Sequence, residues 1–242
     1  MKTTVVIPAR MASTRFPGKP LALIGGVPMV VRVARQAAHS LADRVLIATD
    51  HLDIAHAVRQ VGFEAVMTEP DLPSGTDRCL AACRVAGISS GAIINVQGDE
   101  PFIHPEQINA VAALIHSGAT IGTLVIAIDK ATAQDPNKVK TVTDASGRAL
   151  YFSRAAVPYD RSGDARYLKH LGIYGFDFDT LAQITAPSAG ILEKTESLEQ
   201  LRWLENGHAI HTALTTLEST AVDTPEDLRK IEEMLRSGIL KL

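Results

Sequence analysis

The 242-residue sequence lacks the features of a secreted, membrane-spanning or nucleic-acid-binding protein. Its two cysteines, Cys79 and Cys83, are four residues apart, which suits neither a Cys-x-x-Cys motif nor a disulfide framework. No apolar stretch reaches membrane-spanning length, and the amino terminus enters a β-branched segment without a signal-peptide core. The net charge is −3 and no basic run exceeds two residues, so neither nucleic acid nor an anionic membrane is the expected partner. We therefore expect a cytoplasmic protein that acts on small molecules.

Two common nucleotide-binding motifs are also missing. The chain contains no Gly-x-x-x-x-Gly-Lys-Ser/Thr sequence and no Gly-x-Gly-x-x-Gly sequence. Their absence argues against a P-loop ATPase and leaves a nicotinamide-dependent dehydrogenase as a remote alternative.

The first half of the chain alternates between strand and helix patterns. Strands are predicted at Thr3–Ile7, Arg44–Ala48, Ala65–Met67 and Ala92–Val96, and helices at Pro28–Ala38, Leu52–Val61, Thr76–Ala86 and Pro105–Ile115. This alternation is typical of the α/β class with a doubly wound, mostly parallel sheet.

The second half changes to an α+β pattern. Strands are predicted at Thr120–Ile128, Lys138–Val142, Arg148–Phe152 and Leu168–Phe176, and helices at Glu196–Asn206 and Pro225–Arg236. The length suits a single domain over residues 1–242, with two halves that meet near residue 130.

A cationic, glycine-containing loop follows the first predicted strand. Pro8 is expected to end the strand, so the loop emerges at the carboxyl edge of the sheet, where open α/β folds bind ligands. The loop carries Arg10, Arg15 and Lys19. Two unit charges roughly 4 Å apart interact by about 4 kcal/mol at an effective dielectric constant of about 20, so a triphosphate needs several cations. Each cation taken singly also fits a solvated surface loop, but three within ten residues favour a triphosphate-binding loop.

Two aspartates in separate segments suit a magnesium site. Asp99 follows the predicted strand at residues 92–96, and Asp223 precedes the predicted helix that starts at Pro225. Mg²⁺ is typically held by one or two carboxylates together with substrate phosphates. The segment Asp223-Thr224-Pro225 is equally an ordinary helix-capping sequence, so spacing alone leaves both interpretations open.

Other polar segments suit a nucleotide and a carboxylated sugar. Residues 74–78, Ser-Gly-Thr-Asp-Arg, offer donors at a predicted helix start, for a base or a phosphate or simply as a cap. Arg154 offers a planar fork for a carboxylate, and His170 and Tyr174 can hydrogen-bond sugar hydroxyls. Each of these three is individually compatible with a structural role.

The motifs together resemble one enzyme family. Residues 7–19 resemble the amino-terminal signature Ile-Pro-Ala-Arg-x-x-Ser-x-Arg-Phe/Leu-Pro-Gly-Lys of the cytidylyltransferases that form nucleotide sugars. Residues 74–78, 97–101, 151–154, 170–174, 198–202 and 222–227 are similar to further motifs of the 3-deoxy-manno-octulosonate (Kdo) cytidylyltransferase family, in the same order. The sequence departs from the family's pattern in residues 160–166 and 175–177.

The resemblance implies a role for each of these residues. It assigns nucleotide binding to Ala9, Arg10, Ser13, Arg15, Lys19, Thr76, Asp77, Arg78 and Gln97. It assigns sugar binding to Gln97, Arg154, His170, Tyr174, Glu199 and Gln200. Asp99 and Asp223 become the ligands of Mg²⁺, and these two aspartates with Arg10, Arg15 and Lys19 become the catalytic set.

The resemblance implies transfer of CMP from CTP to Kdo, with release of pyrophosphate. Residues 1 to about 130 are then the nucleotide-binding half and residues 131 to 242 the sugar-acid-binding half of one domain. It also implies a homodimer whose product enters lipopolysaccharide assembly. The alternatives are a cytidylyltransferase for another acidic sugar, such as 8-amino-Kdo or a sialic acid, and a CTP-binding module without turnover.

Overall fold

The computed structural model of the chain describes residues 1–12 and 16–240, so the predicted ligands Ser13 and Arg15 lie outside the described residues. The chain forms two units that are interleaved along the sequence. The first unit comprises Lys2–Ser89, Asn95–Ile108 and Ser219–Leu242. The second comprises Met1, Ser90–Ile94 and Asn109–Glu218. The expectation of one domain stays a prediction, and each unit is built from separated segments rather than from consecutive halves.

The strands of the described residues, in chain order, are β1 (Thr3–Ala9), β2 (Leu23–Ile24), β3 (Val27–Pro28), β4 (Arg44–Thr49), β5 (Glu64–Met67), β6 (Ala92–Asn95), β7 (Ile121–Ile128), β8 (Lys140–Thr143), β9 (Ala149–Ser153), β10 (Tyr167–Asp177) and β11 (His211–Leu214). The helices are α1 (Met29–Ala38), α2 (Leu52–Arg59), α3 (Gly75–Val85), α4 (Pro105–His116), α5 (Lys130–Ala133), α6 (Phe178–Ile184), α7 (Ile191–Glu196), α8 (Gln200–Glu205) and α9 (Pro225–Arg236). A 3-10 turn spans Lys19–Leu21. Within residues 1–12 and 16–240, no helix has the length and apolar character needed to cross a bilayer.

Parallel strands form the sheet of the first unit. Strand β1 pairs in parallel with β4, and β4 pairs in parallel with β5. Helices α1, α2 and α3 follow β3, β4 and β5 in the chain, so the predicted strand–helix alternation is confirmed. Val5, Val6 and Ile7 are fully buried, as expected of an unbroken apolar run in a parallel sheet. The α/β class predicted from the sequence is therefore confirmed.

Strand β1 extends beyond its predicted end at Pro8. Pro8 pairs in register with Ala48, and Ala9 with Thr49. A proline removes one N–H donor but keeps its carbonyl, so a single proline near the end of a strand is tolerated. The loop that carries the predicted cations consequently starts at Arg10.

The second unit has a mixed sheet. Strand β7 pairs in parallel with β11 and antiparallel with β10, and β8 pairs antiparallel with both β10 and β9. The predicted turn between β8 and β9 is present, with a hydrogen bond from the Asp144 amide to the Arg148 carbonyl and a left-handed Gly147 at φ 83°. The predicted change of pattern in the second half is thus confirmed.

The predicted helix over Glu196–Asn206 was wrong, because the structure divides this segment. Helix α7 ends at Glu196, and α8 begins only at Gln200. Ser197 between them has φ 52°, which a right-handed helix cannot contain. Leu198 and Leu201 are buried, so the apolar spacing correctly indicated burial but not the break.

An aromatic cluster fills the core of the second unit beside β10. The ring of His170 lies 5.1 Å from Phe152 and 5.2 Å from Tyr174, and Trp203 meets the edges of Tyr174 and Phe176. The Nε2 of His170 lies 3.1 Å from the Thr123 hydroxyl. Burial, with a smaller effect of the Lys169 charge, lowers the pKa of His170 to about 3. The buried imidazole is therefore neutral near pH 7, and its predicted contact with a sugar stays a prediction.

We expect Gly175→Ala to destabilise the protein by overpacking. A Cβ at Gly175 would lie 2.6 Å from Cγ1 of Val111 and 2.9 Å from Cγ1 of Ile115, both on α4. Overpacking of this kind costs about 1–3 kcal/mol of unfolding free energy. A Cβ at Gly172, on the same strand, would have no neighbour within 4 Å, so Gly172→Ala is the matched control. Equal unfolding free energies of the two variants, measured by urea denaturation, would contradict the packing described.

We expect His170 to make the folded protein less stable as the pH falls. An unfolded-state histidine has a pKa of about 6.5, and burial lowers the folded-state pKa of His170 to about 3. As the pH falls, the unfolded chain therefore binds a proton at this histidine before the folded chain does. His170 has no effect on the free energy of unfolding above about pH 6.5, and lowers it by up to about 1.4 kcal/mol per pH unit below that value.

The measurement is urea unfolding of the wild type, His170→Gln and His56→Gln at several pH values between about 4.5 and 7.5. His56 is exposed on α2 and serves as the control. The free energy of unfolding should fall less steeply with decreasing pH in His170→Gln than in the wild type, whereas His56→Gln should show the same dependence as the wild type. An unchanged slope in His170→Gln would show that the buried ring does not control acid stability.

Candidate functional site

A cavity of about 320 Å³ opens in the first unit at the carboxyl end of β1. It is lined by residues 8–10, by Lys19 and Pro20, by residues 72–75, and by Gln97, Gly98 and Asp99. Arg78 and Asp223 complete the lining. The predicted cationic loop and the two predicted metal ligands thus border the same space.

The Lys19 ammonium joins the two aspartates. Its Nζ lies 2.6 Å from Oδ2 of Asp99 and 3.3 Å from Oδ1 of Asp223. The side chains are 15%, 29% and 45% exposed, so all three remain reachable from the cavity. The structure therefore brings together the three residues predicted to act jointly, although they are separated by up to 204 positions in the sequence. Their catalytic roles stay predictions.

Backbone contacts hold the two aspartates near each other. The Val222 amide donates to the Asp99 carbonyl over 2.9 Å, which fixes residue 223 beside the segment that follows β6. Val222 is fully buried in an apolar cluster with Ile24, Met29 and Ile231 of α9. The packing of α9 against the β2–β3 hairpin region therefore determines where Asp223 lies.

The capping alternative for Asp223 is resolved by the start of α9. Thr224, not Asp223, is the N-cap, and Thr224 forms a reciprocal capping box with Asp227. The Asp227 carboxylate also accepts a hydrogen bond from the Asp223 amide over 3.1 Å. The Asp223 side chain can consequently reach Lys19, while its neighbours cap the helix.

Gly98 is a site residue that sequence reasoning did not single out. A Cβ at this position would lie 2.7 Å from the Pro8 carbonyl oxygen, which belongs to the backbone and cannot rotate away. A glycine is therefore required for the segment before Asp99 to approach the end of β1. Its place between Gln97 and Asp99 in a motif was the available signal.

The donor set at this point fits Mg²⁺. The two carboxylates converge on one ammonium, and Mg²⁺ prefers one or two carboxylates with the remaining positions taken by water and phosphate oxygens. Within the described part of the chain, no group of three or more His, Cys, Asp or Glu side chains could hold a metal ion.

Three of the remaining predicted nucleotide ligands line the cavity, and two lie outside the described residues. Arg10 is exposed and lines the cavity, and Ala9 and Gln97 also line it. Ser13 and Arg15 lie outside the described residues. Arg10 and Lys19 are therefore the predicted loop cations whose position at the cavity is known.

The start of α3 is built by a capping interaction. The Ser74 hydroxyl accepts from the Asp77 amide over 3.1 Å and donates to the Asp77 carboxylate over 2.6 Å. Ser74 and Gly75 line the cavity, whereas Thr76 is buried, and neither Thr76 nor Asp77 is among the described lining residues. Asp77 thus orders the turn, and a contact of Thr76 or Asp77 with a nucleotide stays a prediction.

The Arg78 side chain is 3% exposed and forms part of the cavity wall. It donates to the Thr68 hydroxyl over 2.6 Å and to the carbonyls of Glu69 and Pro70, each over 3.2 Å. Burial lowers the pKa of Arg78, the Asp50 carboxylate raises it and the charge of Arg10 lowers it. Asp50 is a second residue that sequence reasoning missed, although it directly follows β4 at the same edge as Arg10.

The Arg154 side chain binds main-chain oxygens in the second unit. Its guanidinium donates to the carbonyls of Glu196, Ser197 and Pro136, and its amide donates to the Glu196 carboxylate. The fork expected to bind a carboxylate is therefore engaged with the end of α7 and the loop before β8.

The other predicted sugar ligands of the second unit lie in or near its aromatic cluster. His170 and Tyr174 are buried members of that cluster, and Gln200 is buried at the start of α8. Among the described residues, the Tyr174 hydroxyl is buried without a hydrogen-bond partner. Burial, and to a smaller extent the Glu199 carboxylate, raises the pKa of Tyr174 well above its usual value. Tyr174 is therefore a neutral donor, while Glu199 accepts from Arg202 over 2.9 Å.

The chain is similar in sequence to proteins of one known family. The sequence profile of the cytidylyltransferase family matches residues 4–211. The chain is 44% identical to the 3-deoxy-manno-octulosonate cytidylyltransferase of Bacteroides thetaiotaomicron, over 98% of this chain and 99% of that protein. It is 47% identical to the protein of the same name from Desulfatibacillum aliphaticivorans, again over 98% and 99%.

Solved structures agree with the sequence comparison. A CMP:2-keto-3-deoxy-manno-octonic acid synthetase complexed with CTP matches with a TM-score of 0.93 and 37% identity, over 98% of this chain and all of that chain. A cytidylyltransferase from Leptospira borgpetersenii, 16% identical with a TM-score of 0.66, shares the fold. Since the profile covers most of the chain and the relatives match it nearly end to end, the chain belongs to the cytidylyltransferase family.

Proposed function

We propose that this chain transfers CMP from CTP to the anomeric hydroxyl of Kdo and releases pyrophosphate. The relatives with more than 40% identity carry the name of this activity. The observation that carries the proposal is the convergence of Lys19, Asp99 and Asp223 on one cavity at the edge where Arg10 also lies. This arrangement suits a polyanionic nucleotide with its metal ion better than an uncharged ligand.

The reaction is an in-line substitution at phosphorus. The anomeric oxygen of Kdo forms a bond to the α-phosphorus of CTP, the bond to the β-phosphate oxygen breaks, and the hydroxyl proton is released. Phosphoryl-type transfer of this kind depends mainly on positioning and on neutralising charge. Arg10 and Lys19 bring cationic side chains to the cavity for both purposes.

We propose Mg²⁺ as the cofactor, held by Asp99 and Asp223. When bound with the triphosphate, this ion neutralises phosphate charge and thereby assists departure of pyrophosphate. The chain itself positions the two aspartates, because the Val222 amide donates to the Asp99 carbonyl and the Asp227 carboxylate accepts from the Asp223 amide. The Lys19 ammonium offsets the repulsion between the two carboxylates. Lys19 can also contact a phosphate oxygen from this position.

We assign sugar-acid binding to Arg154, His170, Tyr174, Glu199 and Gln200 in the second unit. The buried Tyr174 hydroxyl, unpartnered within the described part of the chain, supports this assignment because a sugar hydroxyl would satisfy it. Arg154 shapes the end of α7 through carbonyl contacts, so we expect it to act on the sugar partly by organising this segment.

The cellular setting follows from the same proposal. We propose that the protein is a cytoplasmic homodimer whose product supplies lipopolysaccharide assembly. Both cysteines are buried and neither forms a disulfide, which fits a reducing compartment. Exposed apolar side chains such as Tyr159 and Ile191 in the second unit are available for contact with a second copy.

We expect pyrophosphate release only when CTP, Mg²⁺ and Kdo are all present. A coupled pyrophosphate assay with each component omitted in turn measures this dependence, and replacing Kdo by 8-amino-Kdo or a sialic acid tests the acceptor. Preference for another acidic sugar would correct the substrate. CTP binding without pyrophosphate release for any sugar acid would indicate a binding module and contradict the proposed reaction.

We expect Lys19→Ala and Asp99→Ala to reduce turnover much more than stability. Loss of one charged group that acts on the transferring phosphate typically lowers kcat by about 10²- to 10³-fold. A partly exposed ion pair contributes about 0.2–1 kcal/mol to stability. Turnover by the pyrophosphate assay and unfolding by urea denaturation separate the two effects.

The matched control is Lys130→Ala. Lys130 forms an equivalent lysine–aspartate pair with Asp160, at 2.8 Å, outside the cavity. The turnover of Lys130→Ala should equal that of the wild type. Near-normal turnover of Lys19→Ala or Asp99→Ala would refute the role assigned to that residue.

A further inference from the structure

Asp50 is a buried carboxylate that joins two walls of the nucleotide cavity and is not among its described lining residues. It is the first residue after β4, and its side chain is only 10% exposed. One oxygen, Oδ1, accepts from the Met11 amide over 3.2 Å. The other, Oδ2, lies 3.4 Å from Nη2 of Arg78. The two oxygens therefore have different partners in different segments.

The first partner belongs to the cationic loop. Met11 follows Arg10, whose side chain borders the cavity, so the hydrogen bond from the Met11 amide fixes the chain direction directly after this arginine. Asp50 thus sets where the loop leaves the end of β1.

The second partner organises the opposite wall. The Arg78 side chain is 3% exposed and donates to the Thr68 hydroxyl and to the carbonyls of Glu69 and Pro70. These residues lead directly into the segment 72–75 that lines the cavity. The position of the guanidinium therefore determines the path of this wall.

Asp50 also supplies the negative charge that two neighbouring arginines need. Arg10 and Arg78 both border the cavity and are close enough for their charges to oppose each other. A buried guanidinium without a counter-charge is strongly disfavoured. The Asp50 carboxylate offsets this repulsion, and it contacts the Arg78 guanidinium on one wall and the Met11 amide on the other.

We propose that Asp50 is a positioning residue for CTP, which acts through Arg78 and the Met11 amide to hold the two walls of the cavity at the spacing that the nucleotide requires. This inference rests on the proposed function for the identity of the nucleotide. It predicts a defect in nucleotide binding rather than in the chemical step or in sugar binding.

The test compares Asp50→Asn with Asp43→Asn. In Asp50→Asn the side-chain amide oxygen can still accept from Met11, but the new NH₂ group would face the Arg78 guanidinium, donor against donor. Asp43 immediately precedes β4 and accepts from the Thr3 amide over 2.7 Å, so it holds the opposite end of the same two strands. Asp43→Asn therefore makes the same carboxylate-to-amide change, at a contact with a main-chain amide that lies away from the cavity.

We expect the Kd and the KM for CTP to rise about tenfold or more in Asp50→Asn, because small displacements of binding groups are costly. At saturating CTP, kcat should stay within about threefold of the wild type and the KM for Kdo within about twofold. Asp43→Asn should bind CTP with the affinity of the wild type, even if its thermal stability is lowered as much as that of Asp50→Asn. Asp50→Glu, which retains the charge, should recover most of the affinity.

Equal CTP affinities of Asp50→Asn and Asp43→Asn, measured by isothermal titration calorimetry, would overturn the inference. Should Asp50→Asn fail to fold, Thr68→Val removes the 2.6 Å acceptor of Arg78 and leaves every charge in place. We expect CTP binding about threefold weaker in that variant, and unchanged binding would equally overturn the inference.

The binding measurement also separates this inference from the proposed reaction. If the wild type binds CTP but releases no pyrophosphate with any sugar acid, the proposed reaction fails while the comparison of Asp50→Asn with Asp43→Asn still gives its result. If pyrophosphate is released and the two variants bind CTP alike, the reaction stands and the role of Asp50 fails.

Discussion

The contact on which the rest of the site depends is that of the Lys19 ammonium with the carboxylates of Asp99 and Asp223. Two carboxylates in proximity repel each other, and a cation between them offsets that repulsion at partial exposure without excluding water. The same charges that stabilise one another are those a metal-bound triphosphate would contact. Under the proposed function, the contacts that place Asp99 and Asp223 therefore also determine where the metal-bound triphosphate is held.

The position of Asp223 shows how far this contact depends on apolar packing. Helix α9 places Ile231 against Ile24 and Met29, and the neighbouring Val222 is buried in the same cluster. A change in this cluster would move Asp223 although none of these side chains touches the cavity. The segment after residue 218 therefore belongs to the site as much as the loop after β1 does.

Three carboxylates near predicted ligands accept hydrogen bonds from main-chain amides. Asp227 accepts from the Asp223 amide, Glu196 from the Arg154 amide, and Asp50 from the Met11 amide. In each case the acceptor holds a residue predicted to bind metal or substrate, or its immediate neighbour. Each of these predicted ligands is thus positioned by an acidic side chain that contacts the main chain.

The sequence by itself determined the strand–helix alternation of the first half and the charged residues that line the cavity, because apolar periodicity and capping residues act over short distances. The run at residues 3–7, the helix at Pro225–Arg236 and the motif around Asp99 needed no tertiary information. The tertiary structure alone decided which groups the long side chains bind: Arg78 and Arg154 both donate to main-chain carbonyls. These carbonyls belong to other segments that the fold brings next to the arginines. A local sequence pattern cannot predict which segments will be neighbours in space.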